Sequence, residues 1–282
     1  MKEIILETIL DTIKSLPFLF IAFLILEFIE HKMNSNSKKI LTKNKKYGPI
    51  LGSFLGAFPQ CGFGAMATNL YSKRVITIGT LFAVYLSTSD EMLPLLIANS
   101  VNYSTILKII SIKVLIALLI GIVIDVIFKK KEQIEIAEIH DMCHDEDCHC
   151  EKGIFKSSIK HTINIAFFLL IIALFINIII FNVGEDNIKL FLSHKNYFSY
   201  FLSSLIGLIP NCASSVIITE LYLNNILSLG NMFSGLLTGA GISLVLLFKT
   251  NKNIKENICI LLGLYFIGVV CGIIIDALGL VL

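Results

Sequence analysis

Several apolar runs in this chain exceed twenty residues, and that feature restricts its fold more than any other. At about 1.5 Å per helical residue, twenty residues cross the roughly 30 Å hydrocarbon core of a bilayer. Lipid satisfies no backbone donor or acceptor, so only hydrogen-bonded helices or closed barrels survive there. The runs are continuous and do not alternate, which predicts an all-α integral membrane protein, a polytopic helical bundle. The composition agrees: 55% of the 282 residues are hydrophobic, 16% are charged and the mean hydropathy is +0.82. A soluble chain of this length needs far more surface charge. The stretch Met1 to Glu30 lacks a small-residue cleavage site and carries Asp11 and Lys14 ahead of its apolar part. It reads as a retained first span, not as a signal peptide.

One offset, 151 residues, recurs along the chain. Gly56, Pro59, Cys61 and Tyr71 match Gly207, Pro210, Cys212 and Tyr222, and Gly79, Gly121 and Asp125 match Gly230, Gly272 and Asp276. Shared apolar composition does not place prolines, cysteines and aspartates in one register, so the sequence reads as one unit written twice. The first membrane repeat is 1–128 and the second 159–282, with the polar linker 129–158 between them. Apolar segments fall at 8–30, 47–72, 75–100 and 104–128, then at 159–182, 197–223, 226–248 and 255–281. That gives about 8–10 membrane segments.

Lysine placement constrains how the segments cross. Six lysines lie in 32–46; Lys129, Lys130, Lys131, Lys152 and Lys156 fill the linker; Lys249, Lys252 and Lys255 form a third cluster. The positive-inside rule puts all three clusters in the cytoplasm. Eight plain crossings cannot do so. Parity is restored if 47–72 or 75–100 is re-entrant or counts as two short pieces, with the same correction in the second copy. Each half then crosses an odd number of times, and the halves are inverted relative to each other. Transporters built this way place their sites where broken helices meet near the midplane.

Candidate site residues follow from the interruptions. Pro59-Gln60-Cys61-Gly62 and Pro210-Asn211-Cys212-Ala213 sit inside apolar segments, where proline removes a donor and frees carbonyls. Irregular backbone at membrane depth must be buried in protein or line a water-filled cavity. Pseudo-two-fold packing would bring Gln60 and Cys61 against Asn211 and Cys212. Two thiols suit thiophilic ions, while the amides offer harder oxygens. The bland alternative is a pair of packing kinks with inert cysteines. Thr88-Ser89-Asp90-Glu91 corresponds in the second copy to Gly239-Ala240-Gly241-Ile242, which carry no charge. A carboxylate at the bilayer centre costs about 2.5–3.5 kcal/mol on insertion scales. Asp90 and Glu91 therefore read as a cation ligand or a proton-coupling pair, with Lys113, matched by Leu264, as a partner for one of them. An ordinary polar turn is the alternative. Asp125 and Asp276 read as anchors near span ends, as do Glu27, Glu30 and His31.

The linker carries His140, Cys143, His144, Cys148, His149 and Cys150 within eleven residues. That ligand set suits Zn²⁺, Cd²⁺, Ni²⁺ or Cu⁺, and on the cytoplasmic side its thiols stay reduced. It would transport, buffer, sense or deliver a metal, or serve only as an acidic tether. Neither a phosphate loop of the G-x-x-x-x-G-K-[ST] type nor an H-E-x-x-H or G-x-S-x-G motif occurs. No ATP-driven or hydrolytic chemistry is expected within this chain.

L-P-F-L-F at 16–20, E-F-I-E-H at 27–31, G-A-F-P-Q-C-G at 56–62, S-T-S-D-E at 87–91 and I-P-N-C-A at 209–213, with the His/Cys-rich loop, resemble the ten-transmembrane heavy-metal exporter family. That family is also described as arsenic-efflux-like permeases or manganese transporters. The resemblance implies efflux of a cation or metalloid by a secondary transporter in a bacterial plasma membrane, with five segments per half. Cys61, Cys212 and the linker favour arsenite, Zn²⁺ or Cd²⁺; Asp90, Glu91, Gln60 and Asn211 favour Mn²⁺. The expected partners are the lipid bilayer and the transported ion, with no nucleic acid and no resident cofactor. A homo-oligomer is left open. A membrane metal sensor acting through the linker is the rival reading, and an enzyme is a weaker one.

Overall fold

A computed structural model of the chain describes residues 47–57, 61–89, 92–128 and 198–280, with scattered positions in 13–24 and 155–178. Among the described residues every regular element is an α-helix. In the first half α1 is Gly48–Gly56, α2 Cys61–Ser72, α3 Ile78–Ser87, α4 Met92–Ala98 and α5 Tyr103–Phe128. In the second half α6 is Phe198–Gly207, α7 Cys212–Leu223, α8 Leu229–Thr238, α9 Ile242–Thr250 and α10 Ile254–Ala277. A shift of 151 residues carries α2 and α3 onto the bounds of α7 and α8, and brings the other three pairs within two residues at each end. Each apolar segment of 47–72, 75–100, 197–223 and 226–248 is thus two short helices. Four stretches among the described residues are long and apolar enough to cross a membrane: Ile78–Ala98, Tyr103–Phe128, Leu229–Thr250 and Ile254–Ala277.

Small residues hold the helices together. Within lipid there is no hydrophobic drive for helices to associate, so close backbone approach and interhelical hydrogen bonds must supply the attraction. Gly48, Gly52 and Gly56 recur every four residues on α1 and face Thr80, then Thr80 and Val84, then Val84 and Ser87 of α3. The order of these contacts makes α1 and α3 run side by side in the same direction. On the mate pair, Ser199 Oγ donates to Asn231 Oδ1 at 2.8 Å and Thr238 Oγ1 donates to the Ser204 carbonyl at 3.0 Å. Gly207 then meets Gly235 and Thr238, so α6 and α8 are also parallel. The long helices α5 and α10 run the other way. Gly121 lies against Gly79 and Ala83, and Gly272 against Gly230.

The two aspartates expected to be span-end anchors are helix caps. Asp125 accepts from the Gly79 N–H at 2.8 Å and the Thr77 hydroxyl at 2.8 Å, at the start of α3. Asp276 accepts from the Gly230 N–H at 2.7 Å, the Tyr200 hydroxyl at 2.7 Å and the Ser228 hydroxyl, at the start of α8. A carboxylate there meets orphan N–H groups and the positive end of the helix dipole. The N-cap hydroxyls of Thr77 and Ser228 in turn accept from Thr80 and Asn231.

Across the halves, α2 packs on α9, α4 on α7, and α3 meets α8. Under the 151-residue correspondence the first two contacts exchange and the third maps onto itself, which is the signature of a pseudo-two-fold axis through α3 and α8. Buried side chains from both halves form one core there, including Leu81, Tyr85, Leu86, Phe233, Leu236 and Leu237. Leu107, Leu115, Leu119, Leu262, Phe266 and Val270 face outward from α5 and α10 and are exposed.

Candidate functional site

The breaks between short helices decide where polar chemistry can sit. Helix α3 ends at Ser87, and Thr88 is its C-cap residue, with φ −53° and ψ +130°. The hydroxyls of Ser87 and Thr88 fold back on Val84 and Ala83 carbonyls, which satisfies part of the helix end. In the second half the chain leaves α6 through Ile209 and Pro210. The Asn211 N–H then donates to the Ile209 carbonyl at 2.7 Å, and Ser214 Oγ donates to the Asn211 carbonyl at 2.7 Å. Between α8 and α9 the break is Gly239-Ala240-Gly241, and Gly241 takes φ +54°, a left-handed conformation suited to glycine.

All three breaks open on one cavity. Thr88, Ser89 and Met92 line it from the first half; Asn211, Ser214 and Ser215 come from the start of α7, and Leu236, Gly239, Gly241 and Ile242 from the second break. Thr88 and Ser89 are buried, and Asn211 is half-buried. Three residues singled out in the sequence thus share one small chamber. Its interior leaves about 30 Å³ for the centres of water-sized molecules, against about 10–15 Å³ for one buried water by that measure. The described wall carries four hydroxyls and one amide, set among Met92, Leu236, Ile242 and glycine backbone, and most of its surface is apolar. The hydroxyls and the amide are its oxygen ligands and neutral donors.

Gln60, Asp90, Glu91 and Pro59 lie outside the described residues, as do the side chains of Cys61 and Cys212. The linker ligands His140, Cys143, His144, Cys148, His149 and Cys150 lie outside them too. Among the described residues no three of His, Cys, Asp and Glu are grouped to hold a metal ion.

Lys113 is 1% exposed and reaches the edge of the chamber. Its Nζ donates to the Thr88 carbonyl and, at 3.2 Å, to the Leu236 carbonyl of the other half. A mirror-position polar cluster lies on the opposite side of the pseudo-axis. There Thr68 Oγ1 and Tyr85 Oη are 2.6 Å apart, and Tyr85 Oη donates to the Ser243 carbonyl at 3.2 Å. The mates of Thr68, Tyr85 and Ser243 are Thr219, Leu236 and Met92, so the two sides of the axis are chemically different.

A second feature escaped the sequence reading. Arg74 makes a two-pronged ion pair with Glu256, at 2.5 and 2.7 Å, and Tyr71 Oη donates to the same carboxylate. Ser72 and Thr250 hydroxyls are 2.8 Å apart beside it. Hydrogen bonding to Glu256 pushes the Arg74 guanidinium above its ordinary value. Arg74 sits at φ +60°, in a helix-ending motif where the Val75 N–H bonds the Leu70 carbonyl; Asn225, its mate, sits at φ +57° with the same pattern. Position 225 carries no charge and the mate of Glu256 is Thr105, so among the described residues this clasp has no counterpart in the second copy.

A family model described as "Putative, 10TM heavy-metal exporter" matches residues 1–186, two thirds of the chain. The chain belongs to that family. The match to the heavy-metal exporters covers the first half, the linker and the start of the second half. Residues 187–282 join the same reading through the 151-residue correspondence of helices and contacts. No curated protein and no solved structure matches the chain.

Proposed function

We propose that this exporter-family chain is a secondary transporter built from two inverted repeats, which moves a heavy-metal or metalloid ion out of the cell through the chamber between its halves. The observation that carries the reading is the convergence of three helix breaks, Thr88-Ser89, Asn211–Ser215 and Gly239–Gly241, on one cavity that gathers four hydroxyls and an amide inside an apolar bundle. Within its described walls the chamber has room for an ion with one or two waters.

Two contact patterns support inversion. Since α1 and α3 run parallel from a common level, α2 must return between them, so the pair α1–α2 enters and leaves on one side as a re-entrant hairpin. The α3–α4 stretch and α5 then cross. With the span expected at 8–30, each half crosses three times, the odd number required by the lysines. Independently, the clasp joins the α2–α3 turn of the first half to the start of α10. In the second half that point lies at the opposite level from the mate turn at 224–228. Two copies facing the same way would not meet so. Lys249, Lys252 and Lys255 thereby share a face with Lys73 and with the end of α5 at Phe128.

Export would be coupled to inward protons through Asp90 or Glu91. Manganese is the second reading, and it is favoured by the fact that the polar groups of the described wall, from Thr88, Ser89, Asn211, Ser214 and Ser215, offer oxygen and no sulfur or imidazole ligand. Cys61→Ser with Cys212→Ser separates the two: export of a soft ion is lost while Mn²⁺ export survives. The test of transport itself is a metal-sensitivity panel read with cellular metal content. Asn211→Ala and Ser89→Ala together should raise the cellular content of the exported ion to that of cells lacking the protein, at equal membrane abundance. Unchanged export by that double variant, for every ion tested, rejects the chamber as the site. Deleting 140–150 leaves at least part of the flux of a carrier but abolishes the response of a linker-based sensor.

A further inference from the structure

Helices α3 and α8 are the pair on the pseudo-axis, and both end at the chamber. The last carbonyls of a helix have no intrahelical donor and carry the negative end of its dipole. Thr88 is the cap residue of α3, and Leu236 lies in the last turn of α8. Two such ends meeting inside the protein attract a cation. The group found there is the Lys113 ammonium, which donates to both carbonyls and so ties one half to the other.

Packing does not account for a lysine at this position. Its mate, Leu264, is also fully buried, so an apolar side chain serves the same place in the second copy. A buried ammonium is costly unless its donors are taken. The two carbonyls belong to separate halves, so both of these bonds hold together only while the halves stand in this arrangement.

We infer that Lys113 is a tethered cation, occupying the position to which the ends of α3 and α8 would otherwise draw a free monovalent ion, and that it fixes the ionic requirement of the site. The cation position is a property of the two helix ends; only its bearing on transport rests on the function proposed above. With Lys113 in place, no sodium or potassium ion is needed at this junction. Without it, a small free cation takes over.

The test uses the purified full-length chain in detergent. Thermal unfolding of the wild type, Lys113→Arg, Lys113→Ala and Lys113→Met is followed in sodium, potassium, methylammonium or choline chloride at equal ionic strength. Wild type and Lys113→Arg should have the same midpoint in all four salts. Lys113→Ala should be less stable in choline and regain about 2–5 °C in at least one small cation, saturably, as expected for binding to the folded state alone. Lys113→Met fills the space without charge and should not respond. The inference is overturned if Lys113→Ala gains nothing over choline, or if wild type or Lys113→Met gains as much. Should Lys113→Ala yield no folded protein, Lys113→Ser is measured by the same criteria. Metal efflux from vesicles forms a separate arm. Lys113→Ala should need the small cation for flux, whereas wild-type flux is indifferent to it. Rescue of stability with no metal flux from any variant, wild type included, would sink the export reading and leave the tethered cation standing.

Discussion

At the residue scale, the polar side chains that matter either satisfy a helix end or face the chamber, and the two roles separate by test. Gly79 and Gly230 lie under the Asp125 and Asp276 carboxylates and against the backbones of Gly121 and Gly272. A methyl group at either position collides with backbone that cannot yield, so Gly79→Ala and Gly230→Ala should each cost about 1–3 kcal/mol, measured as a fall in the unfolding midpoint. Gly239→Ala is the control. Its added carbon would meet the Leu236 carbonyl at an ordinary 3.6 Å, and its stability should stay within about 0.5 kcal/mol of wild type. The sequence disclosed one side of this picture. Prolines, amides and Thr88-Ser89 stood out because polar or helix-breaking residues are expensive in lipid. Gly239-Ala240-Gly241 was passed over as an uncharged stretch, although glycines interrupting an apolar segment mark a break as surely as a proline. Ser214 and Ser215 carried no signal, since serine is common in membrane helices.

At the scale of elements, breaks between short helices make the chamber, and the clasp at Arg74 fastens the α2–α3 turn to the start of α10. The pair is partly exposed, with side chains 38% and 20% accessible. Its coupling energy in a double-mutant cycle of Arg74→Ala and Glu256→Gln should therefore be on the order of 1 kcal/mol and fall with added salt. The left-handed backbone at Arg74 adds a sharper expectation. Arg74→Gly relieves the conformational cost while losing the ion pair, so it should be more stable than Arg74→Ala by about 1 kcal/mol. Equal stabilities would show that no strain is held there. Neither Arg74 nor Glu256 could have been paired from the sequence, because they are 182 positions apart and meet only through the packing of one half on the other. By contrast, the helix breaks at Pro210 and after Ser87 were legible, because local chemistry alone dictates them. The four-residue spacing of Gly48, Gly52 and Gly56 was an available signal for the parallel packing of α1 on α3, and it went unused.

At the scale of the whole molecule, the account stands on two like-folded copies docked head to tail around the axis through α3 and α8. Repetition was readable from the 151-residue register, because it is written in prolines, cysteines and aspartates, which lipid tolerates only in particular places. Direction is a three-dimensional relation and needs a measurement across the membrane. Single cysteines at Lys73, Asn102, Asn224 and Lys252, placed in a background whose native cysteines are serine, are labelled with an impermeant thiol reagent on intact cells and on inside-out vesicles. Inverted halves place positions 73 and 252 on one face, reached only in the vesicles, and positions 102 and 224 on the other, reached only in intact cells. Labelling that groups 73 with 224, and 102 with 252, would mean that the halves point the same way and would contradict the account.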